Sequence, residues 1–323
     1  MLTETVEFIR SHDNFLLVTH ISPDGDTIGS GLALFAALRT IGKTVSIVSS
    51  DRVPRMYEFL SGAGEFCRPG NAPEFETIIF IDCGDAKRAG TAGDLLCRAA
   101  HSLCIDHHGT NEGYCELNWI SETAAATGEL IYLLLCKLGV EITADIATCL
   151  YAAIATDTGN FAFSAVTAET FRIAAALMDA GLNLPECNRR LFQTNSLTKT
   201  RLVRQTLQNM ELFADDRAVL STLTRDELRR FDATWDDCEG LIDSLRMIET
   251  VEIACTLRET LSGEIRVSLR AKDYADVAAI AQRFNGGGHE KAAGCTLCCN
   301  MQQARGKIRA AIIDELKRIP SQA

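Results

Sequence analysis

The first half of the chain alternates between short apolar runs and stretches whose apolar residues recur at helical spacing. The runs Phe15–Thr19, Thr44–Val48, Thr77–Ile81 and Ser102–Ile105 are candidate strands, and Thr27–Thr40 is a candidate helix. This alternation predicts a parallel, doubly wound α/β sheet. Such sheets bind ligands at the carboxyl ends of their strands. The residues that directly follow the apolar runs are therefore the first candidates for a functional site.

Potential metal ligands follow three of these runs and one apolar helix. In chain order they are His20, Asp24 and Asp26, then Asp82, then Asp106, His107 and His108, and finally Asp157 after the helical stretch Ala144–Ala155. Carboxylates and imidazoles at the end of a buried element are costly unless something binds them. A mixed carboxylate and imidazole set suits Mn²⁺ better than Mg²⁺, which prefers oxygen ligands and water. The pattern predicts a divalent metal site.

Each motif taken alone also has a purely structural interpretation. The acidic turn after the first strand could cap the following helix through Asp26 or Thr27. Asp82 could cap a loop, and Asp157 could be an ordinary residue at a helix end. Two adjacent histidines beside a buried strand are seldom explained by packing alone, so this pair favours contact with a metal or a phosphate.

The rest of the chain predicts more helices, a connector and a smaller α+β domain. Helical spacing covers Thr123–Leu138, Ala144–Ala155, Ala168–Ala180 and a stretch from Pro185 to about Glu211. A period of two then predicts strands at Val219–Leu223, Val251–Leu257 and Ile265–Leu269, with helices at Tyr274–Phe284 and Gln302–Lys317. We divide the chain into a catalytic domain at 1–190, a helical connector at 191–212 and a second domain at 213–323.

The second domain contains a glycine run that is a candidate anion site. Asn285 precedes Gly286, Gly287 and Gly288, and His289 follows them. Consecutive glycines expose backbone amides that can hold a phosphate or carboxylate, although glycine runs are also typical of flexible turns. Arg270, at the end of a predicted strand, is a second anion-binding candidate whose alternative is an ordinary surface position.

Charge and composition narrow the class of protein. The net charge is −11, yet the segment from Thr256 to the C-terminus is net basic and the remainder strongly acidic. This split suits metal binding in the first domain and anion recognition in the second, and overall acidity argues against gripping long duplex nucleic acid. The N-terminus resembles no signal peptide, no stretch reaches membrane-spanning length, and thirteen scattered cysteines suggest reduced thiols. We therefore expect a cytoplasmic protein without membrane contact.

Together these motifs resemble the DHH phosphoesterase family with its DHH-associated C-terminal domain. His20-x-x-x-Asp24-x-Asp26, Asp82, Asp106-His107-His108 and Asp157 match the four N-terminal motifs in order, and Asn285-Gly-Gly-Gly-His289 matches the glycine-rich signature of the second domain. The resemblance covers nearly the whole chain. Within the family, the chain's size and the His20 form of the first motif are most similar to the type that degrades short oligoribonucleotides and dephosphorylates 3′-phosphoadenosine 5′-phosphate.

The resemblance implies two divalent ions, for which Mn²⁺ is our choice, in an active site at the interdomain cleft. His20, Asp24 and Asp82 would hold one ion, and Asp26, Asp82, His107 and Asp157 the other, so that Asp82 bridges them. Asp106 would orient its neighbours. Water activated between the metals would attack phosphorus, with His108 contacting the scissile phosphate or assisting the leaving oxygen. Arg270, Gly286, Gly287, Gly288 and His289 would bind the rest of the substrate.

Several functions remain open at this point. The first is hydrolysis of short single-stranded RNA to mononucleotides and of 3′-phosphoadenosine 5′-phosphate to AMP and phosphate. A phosphodiesterase for cyclic or linear dinucleotides would use the same chemistry. A manganese-dependent pyrophosphatase or exopolyphosphatase shares the N-terminal motifs, and a non-catalytic nucleotide sensor is the alternative outside the enzymes. The sequence leaves both a monomer and a homodimer open.

Overall fold

The computed structural model describes residues 1–234, 236–260 and 262–318. Within them the chain forms two compact units, the first at Met1–Thr194 and the second beginning at Asn195. The predicted division into an α/β part followed by a smaller α+β part is confirmed as the fold class. No helix in the described ranges combines the length and the hydrophobicity that a membrane span requires.

The first unit contains one six-stranded sheet in which every strand pair is parallel, in the order β3-β2-β1-β4-β5-β6. Its strands are β1 (Phe15–Val18), β2 (Val45–Val48), β3 (Phe66–Cys67), β4 (Thr77–Ile81), β5 (His101–Asp106) and β6 (Leu117–Ile120). Its helices are α1 (Leu2–Ser11), α2 (Gly25–Thr40), α3 (Thr127–Leu138), α4 (Ala144–Asp157), α5 (Ala168–Asp179) and α6 (Leu184–Phe192). The four predicted strands are observed with shifts of one residue at most, whereas β3 and β6 were not predicted.

Alternating side chains of the central strands enter two separate cores. Leu17 and Ile79 pack with the helices on one face, whereas Leu16 and Phe80 pack on the other face. There the cover is a 3₁₀ segment at Ala86–Arg98, which is interrupted at Gly90. Burial on both faces explains why these strands are continuous apolar runs in the sequence.

The strand order places the switch in chain direction between β1 and β4. The chain proceeds outward from β1 to β2 and β3, then returns to β4 on the other side of β1. The loops that leave two neighbouring strands there diverge, which opens a crevice at their carboxyl ends. His20 follows β1 and Asp82 follows β4, so the fold brings these two residues to that crevice.

The second unit contains a six-stranded sheet in the order β11-β12-β10-β9-β8-β7, in which only the β8–β9 pair is parallel. Its strands are β7 (Glu211–Phe213), β8 (Ala218–Leu223), β9 (Ile253–Glu259), β10 (Ile265–Ala271), β11 (Gly287–His289) and β12 (Ala292–Leu297). Its helices are α7 (Leu197–Gln208), α8 (Arg225–Arg230), α9 (Asp243–Arg246), α10 (Val277–Gln282) and α11 (Met301–Arg318). The stretch expected to be helical from Pro185 to about Glu211 is helical but not continuous. It consists of α6 and α7 with a break at 193–196, where Ser196 caps α7.

Candidate metal centre

The loop after β1 starts α2 with an aspartate cap. Asp24 Oδ1 accepts the amides of Asp26 at 3.1 Å and Thr27 at 3.2 Å. The alternative in which Asp26 or Thr27 caps the helix is therefore not observed, because Asp24 is the cap. The carboxylate of Asp26, in the first turn, instead accepts the Ser30 hydroxyl at 2.9 Å and is almost completely buried.

His20 is oriented so that one ring nitrogen faces two carboxylates. Its Nδ1 donates to the carbonyl of Ile21 at 2.8 Å. Its Nε2 lies 3.5 Å from Asp24 Oδ1 and 3.5 Å from Asp82 Oδ2, is buried, and has no hydrogen-bond partner among the described residues. Burial lowers the pKa of His20, but the carboxylates of Asp24 and Asp82 raise it well above its usual value overall. A buried, unpartnered nitrogen that faces two carboxylates is a position that a metal ion can occupy.

The carboxylate of Asp82 faces three histidines. It adopts φ 58°, a left-handed conformation that aspartate tolerates better than most residues. Its Oδ2 faces His20, whereas its Oδ1 lies 3.7 Å from His107 Nε2 and 3.6 Å from His108 Nδ1. One oxygen of this buried carboxylate therefore faces His20 and the other faces His107 and His108, as a bridging ligand would.

A second group of donors surrounds His107. Its Nδ1 donates to the carbonyl of Ala124 at 3.2 Å, and its Nε2 lies 3.8 Å from Asp26 Oδ2 and 3.4 Å from Asp157 Oδ2. Asp157 is the last residue of α4. The backbone contact at Nδ1 leaves Nε2 as the ligand atom, which is the same arrangement as at His20.

The carboxylates of this centre repel one another. Burial and the charges of Asp82, Asp157 and Asp24 raise the pKa of Asp26 well above its usual value. Burial, opposed by His107 and reinforced by Asp82, raises the pKa of Asp157 to about 7. Side chains that are held together against this repulsion need positive charge between them.

The donor atoms form three groups that fit metal coordination. These groups are His20, Asp24 and Asp82; Asp26, His107 and Asp157; and Asp82, His107 and His108. Within each group the candidate ligand atoms lie within 4.8 Å of one another. Asp82 belongs to two groups, and the chemistry is imidazole and carboxylate throughout. The predicted metal ligands are therefore brought together at the carboxyl edge of the sheet.

Asp106 orients the histidines. It is fully buried, and its Oδ1 accepts His108 Nδ1 at 2.7 Å and the amide of His107 at 2.9 Å. Its Oδ2 accepts the side-chain amide of Asn111 at 2.7 Å. Burial raises the pKa of Asp106, but His108 and Asn111 outweigh that effect and lower it. Asp106 thus remains ionised and fixes the ring of His108.

Helix α3 contributes hydrogen bonds to the centre that were not predicted from the sequence. The helix was predicted from Thr123 but begins at Thr127, since the preceding residues form the turn that approaches α2. The amides of Thr127 and Gly128 donate to Asp26 at 2.6 and 2.9 Å, and the Thr127 hydroxyl donates to Asp82 Oδ1 at 2.9 Å. The sequence feature that could have indicated this role is the Thr127-Gly128 pair at the start of an apolar helix.

We expect Thr127→Val to weaken Mn²⁺ binding about 10- to 100-fold, the usual scale when a group that orients a ligand is lost. Valine keeps the shape and the amide donated to Asp26, and removes only the hydroxyl bonded to Asp82. Calorimetric Mn²⁺ titration measures the change. Thr40→Val is the matched control, because the Thr40 hydroxyl bonds only the carbonyl of Ala36 at an exposed position. Equal affinities for the two variants would contradict the prediction.

In the second unit the glycine run is part of a hairpin, so the flexible-turn alternative is wrong. Gly287–His289 forms β11, paired with β12. A Cβ at Gly286 would lie 2.2 Å from the carbonyl oxygen of Gly294, and one at Gly288 would lie 2.4 Å from that of Ala292. Both glycines are required because the strand passes so close to β12.

The hairpin also relates Arg270 to His289. Ala292 pairs with Arg270 on one side and with His289 on the other. Directly paired residues share a sheet face, so Arg270 and His289 lie in one row across three strands, separated only by an alanine. Burial lowers the pKa of Arg270, and the charge of Asp243 opposes this effect.

Comparisons with known proteins place the chain in a family. The family described as "DHH family, N-terminal domain" matches residues 14–154, and the family described as "DHHA1 domain" matches residues 216–318. The bifunctional oligoribonuclease and PAP phosphatase NrnA of Thermus thermophilus is 35% identical over 94% of this chain and 90% of its own length. The protein of the same name from Bacillus subtilis is 27% identical over 92% of this chain and 93% of its own.

A solved structure agrees with these sequence matches. The crystal structure of an exopolyphosphatase-related protein from Bacteroides fragilis superimposes with a TM-score of 0.91 and 28% identity, covering 98% of this chain and 96% of that one. The similarity thus extends through both units and over the segments that carry the metal-ligand candidates. The chain belongs to the DHH phosphoesterase family.

Proposed function

We propose that this hydrolase of phosphate ester bonds cleaves short single-stranded oligoribonucleotides to mononucleotides and converts 3′-phosphoadenosine 5′-phosphate to AMP and phosphate. The observation that carries the proposal is Asp82, one buried carboxylate whose two oxygens face His20 and His107 at the centre of the donor groups. The near-complete coverage of relatives named for these two activities supports the choice of substrates.

We assign two divalent ions, preferably Mn²⁺, to the donor set. His20, Asp24 and Asp82 would hold one ion, and Asp26, Asp82, His107 and Asp157 the other. Bound in this way, the ions would supply a water nucleophile at neutral pH and stabilise charge on the phosphoryl oxygens. The protein itself holds the ligands, because each imidazole is fixed through Nδ1 by a main-chain carbonyl.

His108 is the residue that we assign to proton transfer. Its Nδ1 donates to Asp106, so Nε2 is the atom that can donate to a phosphoryl or leaving oxygen. Burial lowers the pKa of His108, but the hydrogen bond to Asp106 and the nearby Asp82 raise it above its usual value overall. A raised pKa favours the protonated imidazole, which is the form that can act as a general acid.

Arg270, Gly286, Gly287, Gly288 and His289 are our candidates for binding the remainder of the substrate. A guanidinium and an imidazole in one row on a sheet suit the phosphate and base of a short nucleotide. All thirteen cysteines are free thiols, which agrees with the cytoplasmic location that we propose. A monomer and a homodimer fit the proposal equally.

A substrate series in Mn²⁺ tests the proposal. We expect release of AMP from 3′-phosphoadenosine 5′-phosphate and of mononucleotides from RNAs of two to five residues, with little activity on pyrophosphate. Cleavage of linear or cyclic dinucleotides alone would favour the dinucleotide phosphodiesterase. Cleavage of pyrophosphate alone would overturn the proposal, and binding without turnover of any substrate would favour a sensor.

A further inference from the structure

The segment that follows β4 is docked on the loop that carries His20. Asp85 caps it by accepting the amide of Arg88 at 2.9 Å, and the carbonyl of Arg88 accepts the amide of Ile21 at 2.7 Å. Gly90, at φ 60°, permits this close approach, because a Cβ there would lie 2.6 Å from Ile21 Cγ2. The main chain of Arg88 is therefore fixed beside Ile21, the residue that follows the metal-ligand candidate His20.

The side chain of Arg88 is not used by the fold. It is exposed, and its guanidinium makes no hydrogen bond or ion pair with any residue in the described ranges. The main chain of Arg88 is bonded to the residue next to His20, and its segment follows Asp82, so this exposed cation is attached close to two members of the donor groups.

The charge balance of the centre explains what such a cation can do. Asp24, Asp26, Asp82 and Asp157 supply four carboxylates to the proposed metal sites, which neutralise two dications. An anionic phosphoryl group therefore reaches a centre with little net charge. Arginine suits its recognition, because the planar guanidinium donates two parallel hydrogen bonds to phosphate oxygens.

We propose that Arg88 is a further substrate-binding residue of the first unit, which donates through its guanidinium to the phosphoryl group under attack. The inference rests on the proposed function in that it assumes a phosphate ester at the metal centre. It does not depend on which ester is cleaved. Because charge on the phosphoryl oxygens grows during the reaction, Arg88 acts on kcat as well as on KM.

The test compares Arg88→Ala, Arg88→Lys and the control Lys87→Ala in Mn²⁺-loaded protein. Lys87 is the neighbouring exposed cation, so its loss changes the net charge equally. We expect Arg88→Ala to weaken binding of inorganic phosphate about 10-fold or more, as measured by calorimetry, and to lower kcat/KM about 100-fold. Arg88→Lys should recover part of both losses, and Lys87→Ala should behave as wild type.

Three outcomes would overturn the inference. The first is unchanged phosphate affinity in Arg88→Ala. The second is an equal loss in Lys87→Ala, which would indicate a general effect of charge. The third is loss of bound Mn²⁺ from Arg88→Ala, which would indicate that Arg88 supports the metal ligands. A separate result is a wild-type protein that cleaves no nucleotide while Arg88→Ala, and not Lys87→Ala, binds inorganic phosphate more weakly. In that case the proposed function fails and the inference about Arg88 stands.

Discussion

Asp82→Asn is expected to remove nearly all phosphoesterase activity, lowering kcat/KM by more than the roughly 100-fold that loss of a ligand-orienting group costs. The neutral amide can no longer serve as an anionic ligand facing both His20 and His107. Asparagine tolerates the left-handed conformation at φ 58° about as well as aspartate does. The loss should therefore come from chemistry and not from backbone strain. Kinetics with a dinucleotide and metal analysis of the purified variant measure it.

The control for this prediction is Asp94→Asn, which neutralises an exposed aspartate on the 3₁₀ segment outside the donor groups. It should retain wild-type activity and metal content. Loss of activity in Asp82→Asn with the full metal content retained would mean that Asp82 acts on the substrate and not as a bridge. Wild-type activity in Asp82→Asn would refute the whole assignment of the centre.

Most of the first unit could be predicted because its strands are buried on both faces. The runs at Phe15 and Thr77 have no polar interruption, so their length and their ends are visible in the sequence. The two outer strands were missed for the opposite reason. β3 has only two residues, and β6 contains an asparagine and is only partly buried, so neither forms a continuous apolar run.

The metal-ligand candidates could be predicted because each lies at the end of a strand or helix that the sequence pattern indicates. The groups that orient these ligands could not be predicted in this way. The contact of Thr127 with Asp26 spans a sequence separation of 101 residues, and that of Arg88 with Ile21 depends on the docking of the 3₁₀ segment that is interrupted at Gly90. Such pairings follow from tertiary packing and leave no local pattern. The same holds for the row that relates Arg270 to His289, which depends on the register of β12.

Gly29→Ala should destabilise the first unit by about 1–3 kcal/mol, although alanine favours a helix by about 1 kcal/mol over glycine. α2 and α4 pack so closely here that a Cβ on Gly29 would lie 2.3 Å from the carbonyl oxygen of Cys149 and 2.9 Å from the amide nitrogen of Ala153. Both atoms belong to the main chain of α4, so no side-chain rotation relieves the clash. The two helices must separate.

Separation of α2 from α4 also disturbs the metal centre, because Asp26 lies on the first and Asp157 ends the second. We therefore expect Gly29→Ala to lose several degrees of Tm, at about 2–4 °C per kcal/mol, and to bind Mn²⁺ more weakly.

Gly306→Ala is the matched control for Gly29→Ala. It lies exposed within α11 with nothing within 4 Å of an added Cβ, so helix propensity alone should stabilise it. Thermal unfolding with and without Mn²⁺ distinguishes the variants. A Tm that rises in both would show that α2 and α4 have room at Gly29, and unchanged Mn²⁺ affinity in a destabilised Gly29→Ala would show that their spacing does not position the ligands.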